Sequence, residues 1–282
     1  MKVAIFGVGL IGGSFSLALK KAGLADEVIG FGRSSQTLDE AKKLSIIDRT
    51  GAMEDLNDAD LVLIATPVGQ MRAVMKGISP FIGKHTLVTD GGSTKCDVVE
   101  FARAEFGEKL TQFIPAHPIA GAENSGPAAA KADLYVGKKV VLTPLHENSP
   151  ELVEKAKKVW EACGANVTTM KPEEHDGVFA TVSHLPHLLS FALVHDISVR
   201  ENRELLLSFA ASGFRDFTRI AGSSPEMWRD ICLSNRDALL VELDRYMKEL
   251  DVIRAALQEK DAEKLKEIFS EARNIRNGWE PK

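Results

Sequence analysis

Residues 7–12 read Gly7-Val8-Gly9-Leu10-Ile11-Gly12. The pattern G-x-G-x-x-G is weak alone. Here it follows an apolar run, Lys2–Phe6, and opens a helical stretch over residues 12–22. In that setting each glycine has its own task. Gly7 makes a tight turn, Gly9 lets a pyrophosphate approach the backbone, and Gly12 lets helix and strand pack closely. The helix N-terminus adds unpaired N–H groups and a partial positive charge. The bland alternative is a tight βα turn that happens to use three glycines. We read Gly7, Gly9, Leu10, Ile11 and Gly12 as a dinucleotide cradle. A site that prefers NAD carries an acid about 20 residues further on, at the ribose. Here that place reads Gly32-Arg33-Ser34-Ser35, with no acid. A guanidinium at Arg33 and a hydroxyl at Ser34 suit a 2′-phosphate, so NADP is the preferred cofactor expected, with NAD also accepted. Otherwise Arg33 is a solvated loop residue in a chain that takes NAD. Thr66 and Pro67 close the run Leu61–Ala65. At the carboxyl end of a parallel strand they border the same crevice, or Pro67 simply ends the strand.

Removing hydride from an alcohol needs a group that takes the hydroxyl proton, most often a histidine. There are seven: His85, His117, His146, His175, His184, His187 and His195. His117 stands in Pro115-Ala116-His117-Pro118-Ile119-Ala120-Gly121, after a short strand over Gln112–Ile114. Two prolines and a glycine predict a stiff loop at a strand's carboxyl end, where ligands bind in open α/β sheets. Ser93, in Asp90-Gly91-Gly92-Ser93-Thr94-Lys95, also follows a strand; it reads equally as the N-cap of a helix beginning near Thr94. His184 and His187, in Ser183-His184-Leu185-Pro186-His187, share a helix face that Pro186 kinks or interrupts. They line a polar pocket or are core histidines with local hydrogen bonds. No carboxylate or cysteine completes a metal site with them, so none is assigned. Ser212-Gly213-Phe214-Arg215-Asp216-Phe217-Thr218-Arg219 precedes Pro225-Glu226-Met227-Trp228. It reads as a connector between helices that either clamps a carboxylate or forms salt bridges with its neighbours.

These residues need a frame. The first 170 or so residues alternate short apolar runs with helical stretches: Lys2–Phe6, Val28–Phe31, Leu61–Ala65, Thr86–Thr89, Gln112–Ile114, Lys139–Thr143 and Asn166–Met170 read as strands. Such alternation predicts a parallel, doubly wound sheet of Rossmann type. Gly23 ends the first helix, and Ser149-Pro150 opens one that closes near Gly164. From Glu173 onward the periodicity is helical. Leu239, Leu240, Leu243, Met247 and Leu250 mark one face of a long helix, followed by Leu257, Leu265, Ile268 and Phe269. The expected organisation is a dinucleotide-binding domain over 1–171 and an all-helical substrate and dimerisation domain over 172–282. The helical part is apolar enough to predict a homodimer core.

The 282 residues are 44% hydrophobic and 27% charged, with a net charge of −5. That balance argues against nucleic acid as a partner. No unbroken run of 18 apolar residues argues for a membrane, and no signal peptide is read at the N-terminus. Cys96, Cys163 and Cys232 are few and widely spaced, as reduced cytoplasmic thiols are.

Together the segments Gly7–Ser14, Val88–Lys95, His117–Gly121, Ser183–His187 and Ser212–Arg219 resemble the prephenate/arogenate dehydrogenase family of tyrosine biosynthesis, over nearly the full length. The resemblance implies hydride loss from a cyclohexadienol to NAD(P) with departure of the ring carboxylate as CO₂. Prephenate gives 4-hydroxyphenylpyruvate and arogenate gives tyrosine. It also implies a Rossmann domain followed by a helical dimerisation domain. By position His117 matches the catalytic histidine, and Ser93 the serine that bonds that histidine and the ring hydroxyl. Arg219 matches the arginine that binds a substrate carboxylate. His184, His187 and Trp228 match pocket residues, and Glu123 an acid near the entrance. Ala122 departs from the threonine expected there. No regulatory domain is expected after the helical part, so any tyrosine feedback would act at the active site.

Two other readings remain open. Another two-domain reductase, such as a pyrroline-carboxylate reductase or a β-hydroxyacid dehydrogenase, has the same layout. It would not need His117-Pro118 with His184 and Arg219, and the latter kind would carry a lysine that residues 175–200 lack. A non-catalytic dinucleotide-sensing dimer would bind the cofactor without turnover.

Overall fold

A computed structural model describes residues 1–121 and 124–279. Ala122 and Glu123, and with them the expected entrance acid, lie outside the described residues. The chain begins β1 (Lys2–Phe6), α1 (Leu10–Lys21), β2 (Glu27–Phe31), α2 (Ser35–Lys43), β3 (Arg49–Thr50), β4 (Leu61–Ile64), α3 (Val68–Ile78), β5 (Leu87–Asp90), α4 (Cys96–Phe106) and β6 (Phe113–Ile114). These six strands form one parallel sheet in the order β3-β2-β1-β4-β5-β6. Alternate residues of β1 serve different layers, as the two-residue period of a strand requires. Val3 and Ile5 join the layer holding Phe15 and Leu19 of α1, while Ala4 and Phe6 join the layer of Met71, Met75, Val98 and Ala102 from α3 and α4. This is the doubly wound arrangement that the alternating runs predict.

Local signals act as expected at two ends. Gly23 sits at φ +69, with Gly23 N–H donating to the Lys20 carbonyl and Leu24 N–H to that of Leu19, the bond pattern of a Schellman stop. Ser149 accepts from Leu152 N–H at 3.2 Å, and Pro150 opens the helix it caps.

The later strands differ from expectation. After β6 come β7 (Ala116–Pro118), β8 (Lys139–Leu142), α5 (Pro150–Ala162) and β9 (Asn166–Thr169). They make a separate three-stranded sheet, β7-β8-β9, with β7 antiparallel to β8. His117 is therefore not in a free loop: it lies in β7 opposite Val141. Pro115 bends the chain between β6 and β7, which lets one strand leave the large sheet and pair elsewhere. α5 closes this side with Trp160, fully buried against Phe15 and Tyr135 at ring-centroid distances of 4.7 and 5.4 Å.

The helical part comprises α6 (Pro172–Phe179), a π-turn (Ala180–His184), α7 (Leu185–Ser198), α8 (Arg203–Ser208), α9 (Ser212–Thr218), a 3₁₀ turn (Arg219–Gly222), α10 (Pro225–Ser234), α11 (Arg236–Glu259) and α12 (Ala262–Gly278). Ser212–Thr218 is thus a short helix rather than an open connector. Pro186 does not break its helix. It lacks the N–H for the preceding turn, and the chain widens there into a π-turn instead. The run Pro172–Ser198 is the one helix among the described residues long and apolar enough to cross a membrane by length and composition. It also carries His175, Asp176 and His184, all buried. Two compact units result, Met1–Arg236 and Asp237–Lys282.

Trp160→Ala should cost about 3–5 kcal/mol, the range for emptying a buried aromatic site. Urea unfolding followed by circular dichroism measures it; a loss under about 1 kcal/mol would show that Trp160 does not anchor this layer.

Candidate active site

The carboxyl ends of β1, β4, β5 and β6 lie level: Phe6 pairs with Ile64, Ile64 with Asp90 and Thr89 with Ile114. Chain order reverses between β1 and β4, which opens the crevice where ligands bind in such sheets. The glycine loop sits there. Gly7 has φ +93, and a Cβ on it would meet the Ala65 carbonyl at 2.6 Å. A Cβ on Gly12 would come within 2.1 Å of the Gly7 carbonyl, and one on Gly9 would meet nothing within 4 Å. Gly9 therefore faces open space beside the start of α1, whose N-terminus has no side-chain cap and no acid in its first turn. Those N–H groups, Leu10 and Ile11 among them, are left for an anion. The backbone thus fits a pyrophosphate. Thr66 Oγ1 is buried without a partner among the described residues, and Pro67 caps α3. At the end of β2, Arg33 is exposed and the Ser34 hydroxyl accepts from Thr37 N–H at 3.2 Å, capping α2.

The loop after β5 connects this crevice to His117. A Cβ on Gly91 would lie 3.1 Å from Ile11 Cγ2 and 3.8 Å from Pro118, so the loop runs between the glycine cradle and β7. Asp90 and Lys95, both fully buried, clamp Ala116. Ala116 N–H donates to Asp90 Oδ1 at 2.9 Å, and Lys95 Nζ donates to the Ala116 carbonyl at 2.8 Å. Lys95 Nζ also donates to Asp90 Oδ2 at 2.5 Å. Charged partners make such bonds strong, and they hold the residue next to His117 on both sides. Ser93 lies on this loop, but no hydrogen bond joins it to His117 and it caps no helix: α4 begins at Cys96 with Lys95 at its cap.

His117 is bonded elsewhere. Its Nδ1 lies 2.8 Å from His175 Nε2, and His175 Nδ1 lies 2.8 Å from Asp176 Oδ1. The Asp176 carboxylate accepts Lys95 N–H on Oδ1 and Cys96 N–H on Oδ2, each at 2.8 Å, at the start of α4. Phe179 packs its ring 4.8 Å from His117 and 4.5 Å from His175. From Asp176 the contacts continue. Asn235 Nδ2 donates to the Asp176 carbonyl at 2.8 Å and to His184 Nδ1 at 3.0 Å. His184 meets Trp228 edge-on at 6.1 Å, and Trp228 stacks on His187 at 3.6 Å. The Arg219 charge bears on His187.

Models of two domains match the chain: "Prephenate dehydrogenase, nucleotide-binding domain" over residues 15–169, and "Prephenate dehydrogenase, dimerization domain" over 171–271. The chain belongs to the prephenate dehydrogenase family. It is 40% identical to the prephenate dehydrogenase of Bacillus subtilis (strain 168) over 280 residues, 98% of this chain and 75% of that one. The structure of prephenate dehydrogenase from A. aeolicus, in complex with hydroxyphenyl propionate and NAD+, is 36% identical, with a TM-score of 0.92 and 98% and 97% of the two chains covered. Synechocystis arogenate dehydrogenase is 28% identical, with a TM-score of 0.83 over 98% and 99%.

Within this family member the expected residues fall into two groups. Gly7, Gly9, Leu10, Ile11, Gly12, Thr66 and Pro67 surround the crevice, with Arg33 and Ser34 at its outer end. His117, His184, Trp228, His187 and Arg219 form a second line. The residues that tie that line to the sheet were not legible as functional: His175, Asp176 and Asn235, with Asp90 and Lys95 beneath. The adjacent pair His175-Asp176 in an apolar helix was the one available signal.

Burial drives the electrostatics. It pushes His117 well below the ordinary imidazole value, and the neighbouring His175 and Lys95 charges push the same way. Burial also lowers His175, against the pull of Asp176. Burial acts to raise Asp176, but bonds from His175 and the Cys96 amide outweigh it and leave the carboxylate below its usual range. Burial lowers His184 to about 4 and lowers His187, with Arg219 adding to the effect.

Two outcomes follow. Gly9→Ala should leave the unfolding midpoint unchanged while weakening nucleotide binding by at least about 10-fold, since its Cβ enters space a phosphate would use; unchanged affinity by calorimetry would remove Gly9 from the cradle. For His184 the folded pKa, about 4, lies below the unfolded value of 6.5. The unfolded chain takes the proton first, so the contribution is whole above pH 6.5 and is lost as pH falls toward 4. The loss is about 3 kcal/mol at full effect. Urea midpoints of wild type and His184→Asn between pH 7 and 4.5 test this: the variant should show the shallower decline, and parallel curves would refute it.

Proposed function

We propose that this chain catalyses NAD(P)-dependent oxidative decarboxylation of prephenate, arogenate or both, giving 4-hydroxyphenylpyruvate or tyrosine. The observation that carries the reading is the position of His117. It stands at the carboxyl edge of the sheet beside the glycine cradle, with Nδ1 engaged and Nε2 without a protein partner among the described residues. A bound nicotinamide ring supplies a two-electron acceptor for hydride. His117 Nε2 takes the proton of the ring hydroxyl as the carbinol carbon becomes a carbonyl. The ring carboxylate then leaves as CO₂, its electron pair enters the ring, and His117 returns the proton to the phenol oxygen. Protons and charge balance without a metal. Burial keeps His117 neutral and therefore basic in form at neutral pH.

In this reading Ser93, on the loop after β5, bonds the ring hydroxyl alongside His117. Arg219 holds a substrate carboxylate, and His184, His187 and Trp228 line the pocket; Glu123 is the entrance acid that the family resemblance implies. The Trp228 Nε1–H is buried without a protein acceptor among the described residues, as a pocket donor would be. Residues 1–171 serve the nucleotide and 172–282 the substrate and dimer. Arg33 and Ser34 support NADP as the preferred nucleotide, with NAD accepted. A cytoplasmic homodimer through the helical part fits the matched dimerisation domain and the free Cys96, Cys163 and Cys232. It also fits the apolar side chains that this single chain leaves exposed, among them Val182, Phe209, Leu233, Met247 and Phe269.

Purified protein assayed with prephenate and with arogenate, each with NAD and NADP, tests the reading by absorbance of the reduced nucleotide. His117→Asn should lower kcat by at least about 100-fold with nucleotide affinity unchanged; near-normal turnover would take His117 out of the reaction. Arg33→Asp should move the NADP/NAD ratio of kcat/KM toward NAD by at least about 10-fold, and an unmoved ratio would make Arg33 a bystander.

A further inference from the structure

The hydrogen bonds around Asp176 determine more than position. The carboxylate, the backbone amides and the Asp176 carbonyl are of known sense, so the protons on the rings between them can be assigned in order. The carboxylate is an acceptor only, and it already takes the Lys95 and Cys96 amides. His175 Nδ1 must therefore donate to it, and since burial favours the neutral ring, His175 Nε2 keeps a lone pair. His117 Nδ1 must then donate to that lone pair, and His117 Nε2 is left bare. On the other side, Asn235 Nδ2 is identified by its bond to the Asp176 carbonyl, which can only accept. Its second N–H points to His184 Nδ1, so neutral His184 carries its proton on Nε2.

We propose that Asp176 sets two histidines in opposite tautomers, His117 with a bare Nε2 through His175 and His184 with a protonated Nε2 through Asn235. The site thus holds one proton acceptor and one donor that cannot exchange roles. His175, Asp176 and Asn235 are positioning residues. When His117 takes a proton at Nε2, the new imidazolium still donates from Nδ1 to His175, and His175 is backed by the Asp176 carboxylate. The positive charge is stabilised at a distance, without an acid touching His117. A carboxylate in direct contact would compete for the role of acceptor. This extends the acid–base–orienter logic of hydrolytic triads by one imidazole. The proposal rests on His117 as the base, and its test separates the two.

Long-range proton–nitrogen spectra of the full chain labelled with ¹⁵N-histidine show which ring nitrogen of each histidine is protonated. The His117 and His184 signals are assigned by their loss in His117→Asn and His184→Asn. The expected result at neutral pH is protonated Nδ1 in His117 and protonated Nε2 in His184. Either histidine in the opposite tautomer overturns the proposal, and no turnover is needed to see it. In His175→Phe, His117 should lose its fixed tautomer, and kcat should fall about 10- to 100-fold with KM within about threefold. His175→Gln, whose amide can both donate to Asp176 and accept from His117, should recover most of kcat. A His175→Phe enzyme that binds nucleotide normally and keeps kcat within about twofold overturns the relay. Should His175→Phe not fold, the wild-type spectra and His175→Gln still decide. If His117→Asn keeps full turnover, the base assignment fails instead, a result distinct from either tautomer finding.

Discussion

The carboxylate of Asp176 on the first turn of α4 is the contact around which this molecule is arranged. It joins α4, a helix of the nucleotide-binding sheet, to α6, the first helix of the helical part, within one compact unit. A buried carboxylate is costly to desolvate. Here two backbone amides and an imidazole compensate it, and the positive end of α4 favours the charge further. Because both sides of the junction need the bond, neither can shift without exposing an unpaired charge. The site therefore inherits the rigidity of the sheet, although half of its residues come from helices. Beneath it, Asp90 and Lys95 hold Ala116 from two directions, so the strand carrying His117 is fastened at its backbone and at its ring.

Much of this was legible in the chain itself. The glycine loop, the strand-helix alternation and the stop at Gly23 are local signals, each determined by a few neighbouring residues. Ser149 and Pro150 announce α5 for the same reason. His117 stood out because prolines bracket it, and the family resemblance of five short segments carried the chemistry. The outer end of the crevice was read from what is missing at residues 32–35.

What could not be read depends on partners distant in sequence. β7 leaves the large sheet because Val140 and Val141 are free to pair with it, a contact over more than twenty residues. The bond from His117 to His175 spans 58 residues and the one from Asn235 to His184 spans 51. No pattern within a helix reveals that an aspartate in an apolar stretch faces another element's amides. Ser93 shows the converse. As a cap it was a sound local guess, but the helix begins two residues later than expected, where the Asp176 carboxylate accepts the Lys95 and Cys96 amides from outside.

The π-turn at Ala180–His184 has a consequence for how this helix could tolerate change. His175 and His184 are nine residues apart. At about 100° per residue an unbroken α-helix would set them on opposite sides. The wider turn takes up one extra residue and rotates His184 back, so that both rings reach the same network. Deleting a single residue there would leave a more regular, locally more favourable helix. It would keep His184 and His187 in the phase they have now, whereas straightening the π-turn with all its residues kept would turn them away from Asp176. The length of Ala180–His184 and the width of its turn are therefore matched: a one-residue insertion would misphase His184, while a one-residue deletion could be absorbed by a return to regular helix.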